Sequence, residues 1–247
     1  MTPGRRVSSV AVFVAAALLA VSAGIWLLDR NGSATTASST LRSVSITDEG
    51  GDTVRSHVDP VTQTITVRGG PLNTGDQART SFWVAPQSAL SDQEVCVTFT
   101  SDSGDHDQEG ITLRNAVVGD RYHAVLFTKN VFPIVNGTFN LYVLDQDLTT
   151  TVEVPQMLKS FDLSSTIAPG GTVAAFPWRV CAEVSGRTFR FKVWSPTKAE
   201  PEYGDPAHSG SFTLPVASWA GTGGVYAGHV DGSERVVFDD LQVGAGQ

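Results

Sequence analysis

The fold of this chain is decided by the stretch WRVCAEVSGRTFRFKVW, residues 178–194. Apolar residues alternate with polar ones on both sides of the short turn Ser185-Gly186-Arg187. Alternation with a period of two indicates a β-strand with one buried face, because successive side chains point to opposite sides of a sheet. A short turn containing glycine between two such runs predicts a tight antiparallel hairpin.

Similar runs recur along the rest of the chain, and most are rich in β-branched and aromatic residues. No long stretch has a helical period, although residues 152–161, around Met157-Leu158, are expected to form one short helical turn. Many short strands joined by Gly/Pro turns favour an all-β, two-sheet antiparallel sandwich. The predicted strands are Gln63–Arg68, Thr80–Val84, Glu94–Thr100, Gly110–Arg114, Tyr122–Thr128, Thr138–Leu144, Trp178–Val184, Thr188–Trp194, Ser211–Leu214, Gly224–His229 and Arg235–Val243.

The two cysteines, Cys96 and Cys181, each lie in the middle of a predicted strand. Each points away from the apolar residues of its strand, such as Val95 and Val97 beside Cys96. Two such strands lying side by side would bring the cysteines together, and an oxidising compartment would allow the bond. We therefore predict a disulfide, with two unpaired structural thiols as the alternative.

An apolar segment near the N-terminus predicts a membrane anchor. Arg5 and Arg6 precede an uncharged run of 22 residues, Val7 to Leu28, and a helix needs roughly 20 residues to cross a bilayer. Arginines before the run favour a cytoplasmic N-terminus. The predicted organisation is a signal-anchor at 1–30, a flexible tether at 31–41 and one extracytoplasmic domain at 42–247.

A cleaved signal peptide is the alternative to the anchor. Val21-Ser22-Ala23 is a plausible small-residue cleavage site, and cleavage there would give a secreted protein. The mature chain would then begin close to four apolar residues, 25–28, which favours a single-pass protein of the cell membrane.

The charge of the chain argues against a nucleic-acid partner. The formal net charge is −8, and charged residues make up 17% of the sequence. No basic stripe is present to neutralise phosphates. The partners that we expect are the lipid bilayer, through the N-terminal helix, and a glycan or a cell-envelope protein.

Four short sequence motifs in the chain resemble those of a known family. They are EGITLR at 109–114, the hairpin at 178–194, GGVYAG at 223–228 and VFDDLQV at 237–243. Their order resembles the concanavalin A-like lectin/glucanase superfamily, over residues 80–243, and looks most like its laminin-G-like and 3-keto-disaccharide-hydrolase-like members. The resemblance implies a jelly roll. Members commonly bind glycans, but the same fold also hosts hydrolases and inert spacers.

Arg114, Lys192 and Trp194 are the predicted ligand-binding residues. They lie on the polar sides of their strands, where an indole ring can stack on a sugar and charged donors can bind its hydroxyl groups. The resemblance implies that the arginine of the "G-I-x-x-R" phrase points into the concave face. In the alternative interpretation, Trp194 packs under the loop after Pro196 and Arg114 pairs with a neighbouring acid.

An acidic loop at residues 102–109 is a candidate calcium site. Asp102, Asp105 and Asp107 would supply the oxygen ligands that Ca²⁺ prefers, although their spacing does not match the EF-hand pattern. A solvated acidic turn is the alternative. No other cofactor is expected.

The sequence favours an anchored, non-catalytic module that binds a glycan or an envelope component. A structural or protein-interaction domain without a sugar ligand is the first alternative. A glycoside hydrolase, with Asp102, Asp105 and Asp107 as first suspects, is the second. The carboxylates of Glu200-Pro201-Glu202 have the spacing of a glucanase strand, but three prolines place them in a loop.

Overall fold

The computed structural model describes residues 24–28, 34–38, 40–46, 54–59, 61–71, 79–85, 89–103, 107–132, 135–149 and 155–246. The described strands are β1 (Gly24–Leu28), β2 (Ala34–Ser38), β3 (Thr40–Ser45), β4 (Val54–Val58), β5 (Ile65–Gly69), β6 (Arg79–Ala85), β7 (Gln93–Asp102), β8 (Gln108–Val118), β9 (Arg121–Phe132), β10 (Val135–Asp147), β11 (Met157–Asp162), β12 (Trp178–Ser185), β13 (Thr188–Trp194), β14 (Ser209–Thr213), β15 (Thr222–Gly228) and β16 (Arg235–Ala245). A single helical turn, α1 (Ser164–Ile167), follows β11.

Two antiparallel sheets of seven strands each form a sandwich. Sheet 1 has the order β11-β10-β9-β8-β15-β6-β3, and sheet 2 has the order β14-β13-β12-β7-β16-β5-β4. The predicted all-β, two-sheet antiparallel sandwich is therefore confirmed. β1 and β2 pair with each other as a separate hairpin.

The core lies between the inner faces of the two sheets. Phe127 of β9 and Phe191 of β13 are both fully buried, and their ring centroids lie 4.4 Å apart across the interface between the sheets. Burying one large apolar side chain stabilises a fold by about 1.5–3 kcal/mol. The alternation that marked residues 178–194 is thus the inner face of sheet 2.

All eleven predicted strands are present, and five further strands were not predicted. One of them, β11, occupies the segment where a helical turn was expected. Phe161 of β11 pairs with Phe139 of β10, and its ring packs against Phe191 at 4.7 Å. The helical prediction was wrong because pairing with β10 holds this edge strand extended.

The loops of the sandwich gather at two opposite ends. We call one the Gly186 end, where the β12–β13 turn lies and where β3 begins beside the last residue of β6. We call the other the Lys129 end, where β7 ends and β8 begins. This division separates the side-chain clusters described below.

The predicted anchor is only partly covered by the described residues. Gly24–Leu28, the last five residues of the apolar run, form β1. The rest of the predicted anchor, residues 1–23 and 29–30, lies outside the described residues. Within the described ranges, no helix combines the length and the apolar character needed to span a bilayer.

Candidate functional site

The predicted disulfide is confirmed. Cys96 of β7 and Cys181 of β12 are directly paired across adjacent antiparallel strands and are covalently joined, with their Cα atoms 4.1 Å apart. The bond closes a loop of 85 residues. It lies on the outer face of sheet 2, because the neighbours of both cysteines along each strand point into the core.

Lys192 and Trp194 also lie on the outer face of sheet 2, as predicted, but neither is accessible. Their exposed fractions are 5% and 6%. The loop at residues 195–208 contacts Lys192 through the ring of Tyr203 and through a salt bridge with Glu200. Nζ of Lys192 in turn lies 5.7 Å from the ring centroid of Trp194.

Tyr203 of the loop at residues 195–208 packs on the outer face of sheet 2. Its ring lies 4.4 Å from the guanidinium carbon of Arg190 and 4.6 Å from Nζ of Lys192. Its hydroxyl group donates to Oε1 of Glu94 at 2.8 Å. Burial raises the pKa of Tyr203, and the neighbouring Glu94 carboxylate raises it further. The loop is thus held by cation–π contacts and one hydrogen bond to a carboxylate.

Arg114 lies in sheet 1, whereas Lys192 and Trp194 lie in sheet 2, so the structure does not bring the three predicted residues together. A β-bulge interrupts β8 between Leu113 and Ala116, and Arg114 has a φ of 54°. The bulge turns the side chain into the Gly186 end, where its Nε donates to the carbonyl oxygen of Ser91 at 2.6 Å and its Nη2 to that of Gly186 at 2.7 Å. The fully buried Arg114 therefore joins loops and does not share a face with the residues of β13.

The three aspartates proposed for calcium do not form a site in the described residues. Asp105 lies outside them. Asp107 is 1% exposed, and its Oδ2 accepts the backbone N–H of Ser103 at 3.4 Å. Oδ2 of Asp102 lies 2.6 Å from Nζ of Lys129. Among the residues that the structure describes, no group of three His, Cys, Asp or Glu could hold a metal ion.

A buried ionic cluster at the Lys129 end was not predicted. Nζ of Lys129 lies 2.7 Å from Oε2 of Glu109, in addition to its contact with Asp102. Burial raises the pKa of Glu109 to about 7; the Lys129 ammonium opposes this rise, and the Asp102 carboxylate adds to it. Alternation in the sequence places Glu109 on the same face as Ile111 and Leu113, but it does not show that Lys129 and Asp102 meet this carboxylate.

The outer face of sheet 1 carries an aromatic layer. The rings of Trp83 and Tyr122 are stacked, with centroids 5.6 Å apart and an interplanar angle of 19°. Tyr226 lies flat along β15, and a Cβ atom at Gly228 would come within 2.3 Å of its hydroxyl group. All three rings are at least 94% buried. They form an apolar floor that polar side chains border toward the Lys129 end.

Asn140 and Tyr142, neighbours on the outer face of β10, border this floor. Asn140 is 4% exposed, and its Oδ1 has no hydrogen-bond partner among the described residues. Its Nδ2 lies 3.4 Å from the hydroxyl group of the half-buried Tyr142. Burial raises the pKa of Tyr142, and the nearby positive charge of Arg79 opposes this rise. Because buried amide oxygens are almost always paired, the unpaired Oδ1 of Asn140 is unusual.

Two further polar groups extend this border. Nη2 of Arg79 lies 3.3 Å from Nε2 of His229, and Nε2 of Gln108 donates to Oδ1 of Asn130 at 3.3 Å. Arg79 and His229 are half-buried. Planar side chains that form hydrogen bonds therefore lie around the aromatic floor. Binding sites for polyhydroxyl ligands combine the same two kinds of group.

No family model matches the chain, and no curated protein matches it. Solved structures similar to it include the carbohydrate-binding module CBM66 from Bacillus subtilis. The sequence identity is 8%, the match covers 81% of this chain and 94% of that chain, and the TM-score is 0.46. The exoplasmic/lumenal domain of VIP36 in a Ca²⁺/Man3GlcNAc-bound form is similar at 14% identity, 78% and 84% coverage and a TM-score of 0.45. A Bacillus subtilis protein of unknown function with a galectin-like fold is similar at 9% identity, 82% and 88% coverage and a TM-score of 0.41.

Proposed function

We propose that this chain is a glycan-binding jelly-roll module that works outside the cytoplasm, held to the cell membrane by its N-terminal apolar run. The outer face of sheet 1 binds the glycan, around Asn140 and Tyr142. One observation carries this proposal: the buried amide oxygen of Asn140, without a partner among the described residues, beside the half-buried phenol ring of Tyr142.

The chemistry of a sugar matches the groups on this face. Hydroxyl groups of a sugar donate to an amide oxygen such as that of Asn140 and accept from a guanidinium such as that of Arg79. The C–H face of a pyranose ring packs against an aromatic ring, and Tyr142 presents one with its hydroxyl group available for orientation. A few polar groups above an apolar floor are typical of small-ligand sites.

Two features support the extracytoplasmic location. The disulfide between Cys96 and Cys181 is of a kind that persists in oxidising compartments. Arg5 and Arg6 before the uncharged run favour a cytoplasmic N-terminus. Fractionation tests the location: the chain should stay with membranes after an alkaline wash and be digested by protease added to intact cells. A mature chain in the medium that begins after Ala23 would instead show secretion.

Glycan binding is tested with the full-length chain, purified in mild detergent, on an array of plant, bacterial and host glycans. Hits are then measured by titration calorimetry. Asn140→Ala and Tyr142→Phe each remove one hydrogen-bonding group and should weaken binding about two- to tenfold. Tyr203→Phe is the matched control, because it removes a tyrosine hydroxyl group from the opposite face of the sandwich, and it should leave the affinity unchanged.

The outcomes separate the candidate functions. No saturable binding of the wild-type chain to any glycan at millimolar concentration would overturn the proposal and favour a structural or protein-interaction domain. Binding that Asn140→Ala and Tyr142→Phe leave intact would place the site elsewhere. Cleavage of a bound polysaccharide, lost on Asp102→Asn, would identify a hydrolase.

A further inference from the structure

The outer edge of β14 differs from the other three edges of the sandwich. Those edges are formed by β3, β4 and β11, which carry the charged side chains Arg42, Arg55 and Lys159. A charged side chain on an edge strand opposes pairing with a further chain. β14 has the sequence Ser-Gly-Ser-Phe-Thr, without a charged residue or a proline, and no strand among the described residues pairs with its outer side. β14 is thus an edge without this protection.

The hydrogen bonds of β14 identify the backbone groups that point to its outer edge. The N–H of Leu214 donates to the carbonyl oxygen of Arg187, and the N–H of Val193 donates to that of His208, each at 2.8 Å. Residues 208, 210, 212 and 214 therefore bond to β13, because bonded residues alternate along an antiparallel pair. The backbone groups of residues 209, 211 and 213 point outward. The N–H at 209 donates to the carbonyl oxygen of Asp205, so the N–H groups of 211 and 213 and the carbonyl oxygens of all three residues remain at the edge.

These backbone groups match those of a second copy of the chain in one antiparallel register. With Ser211 of one copy opposite Ser211 of the other, the two strands overlap over their whole length, Ser209–Thr213. The N–H of each Ser211 then meets the carbonyl oxygen of the other Ser211, and the N–H of each Thr213 meets the carbonyl oxygen of Ser209 in the other copy. Every outward N–H of β14 that is not already bonded gains an acceptor in this register.

The side chains of β14 fit the same register. Gly210 and Phe212 are paired with the core residues Phe191 and Phe189 of β13 and therefore share the inner side of the strand. The register places Phe212 of each copy opposite Gly210 of the other, and an aromatic ring across from an edge glycine is a stabilising cross-strand pair. On the outer side, Ser211 and Thr213 are exposed and uncharged, so no like charges meet.

We infer that two copies of this chain associate through β14, with Ser211 on the two-fold axis and the two copies of sheet 2 joined into one continuous sheet. This interaction surface is separate from the glycan position at Asn140 and Tyr142, which belongs to sheet 1. Because the paired strands run antiparallel, one copy is inverted relative to the other, and their β3 strands begin at opposite ends of the pair. Copies attached to two facing bilayers meet this geometry; this last point rests on the membrane attachment that we propose.

The association is tested by analytical ultracentrifugation of the full-length chain in mild detergent, from about 1 μM to about 100 μM. The wild type should show an equilibrium between monomer and dimer. Ser211→Lys places two ammonium groups at the axis and should raise the dimer Kd about tenfold or more. Ser56→Lys is the matched control, because it adds the same charge at an exposed serine of β4, the other edge of sheet 2, and it should leave the dimer Kd unchanged.

A charge-reversal experiment separates loss of the contact from loss of the fold. Ser211→Lys and Ser211→Glu should each be monomeric alone, and an equimolar mixture of the two variants should form a dimer, because opposite charges then meet at the axis. A variant that had failed to fold would not recover in the mixture. For the facing arrangement, phosphatidylcholine vesicles that carry the wild-type chain should cluster, and vesicles that carry Ser211→Lys should not.

The outcomes are independent of glycan binding, because no glycan is present in these experiments. A wild type that stays monomeric at about 100 μM, or a dimer that Ser211→Lys leaves intact, overturns the contact through β14. Dimers in detergent without clustering of vesicles overturn the arrangement between facing bilayers and support the contact itself.

Discussion

Nζ of Lys129 lies 2.7 Å from Oε2 of Glu109 in the interior of the sandwich, where the two side chains are 4% and 0% exposed. Asp102 brings a second carboxylate to the same ammonium at 2.6 Å. The ammonium group of Lys129 therefore contacts two carboxylates. Asp102 belongs to sheet 2 and Glu109 to sheet 1. The cluster ties the sheets together at the Lys129 end, and its ionisation should affect the stability of the whole domain.

The stability of the domain should fall as pH rises from about 4.5 to about 7. Burial raises the pKa of Glu109 from 4.5 to about 7 in the folded state, so the folded chain holds a proton there that the unfolded chain releases. Below pH 4.5 this group does not lower the free energy of unfolding. Above pH 7 the loss in the free energy of unfolding reaches about 3 kcal/mol. Urea denaturation of the wild type and of Glu109→Gln at about pH 5 and about pH 8 checks this. The difference in the free energy of unfolding between the two proteins should change by that amount over this pH range. A difference that stays constant with pH would contradict the prediction.

Removing the ammonium should cost more than removing the whole ion pair. Lys129→Met leaves Glu109 and Asp102 without their cation, and breaking a buried pair typically costs about 3–5 kcal/mol. The double variant Lys129→Met/Glu109→Gln removes the uncompensated buried charge and should recover most of this loss. The free energy of unfolding, measured with urea at neutral pH, gives both values. A double variant no more stable than the single one would show that the pair is not the source of the effect.

The disulfide should be a major source of stability. It joins residues 85 positions apart, and on the chain-entropy model a loop of that length lowers the unfolded-state entropy by an amount worth about 4–5 kcal/mol. Cys96→Ala/Cys181→Ala should lose about this much in urea denaturation. Reduction of the wild type with dithiothreitol serves as the control and should bring its stability to that of the double variant.

Arg114 should matter for stability and not for ligand binding. Its guanidinium donates to the carbonyl oxygens of Ser91 and Gly186, and a lysine cannot reproduce both bonds from one planar group. Arg114→Lys should therefore destabilise the domain by about 1–3 kcal/mol. Glycan affinity, measured under conditions where the variant is folded, should be unchanged. A loss of affinity without a loss of stability would restore the binding role that the sequence predicted.

The strands could be predicted wherever one face of a strand is apolar and the other is polar. In β7 and β12 the alternation places Val95 and Val180 inward and the cysteines outward, and this pattern alone was enough to predict the disulfide. β10 gives no such signal for its faces. Leu141 points to the core while Tyr142 and Leu144 point outward to a second apolar layer, so the sequence could not assign the face on which the candidate site lies.

The structure does not bring the three predicted binding residues together, for two physical reasons. Arg114 lies at a β-bulge, and one extra residue in a strand reverses the face of the side chains that follow. Lys192 has the predicted face, but Tyr203 of the loop at 195–208 packs on it. Neither a bulge nor the packing of a distant tyrosine leaves a periodic pattern in the sequence. The same is true of the long-range contact between Lys129 and Glu109.

The position of β3 in the sandwich has a consequence for the membrane attachment that we propose. Thr40 begins β3 at the Gly186 end, so attachment through the N-terminus would place this end toward the lipid and the Lys129 end outward. Asn140 of β10 pairs with Thr128 of β9, close to the Lys129 end. A ligand bound at Asn140 would then be held on the side of the domain that faces away from the bilayer.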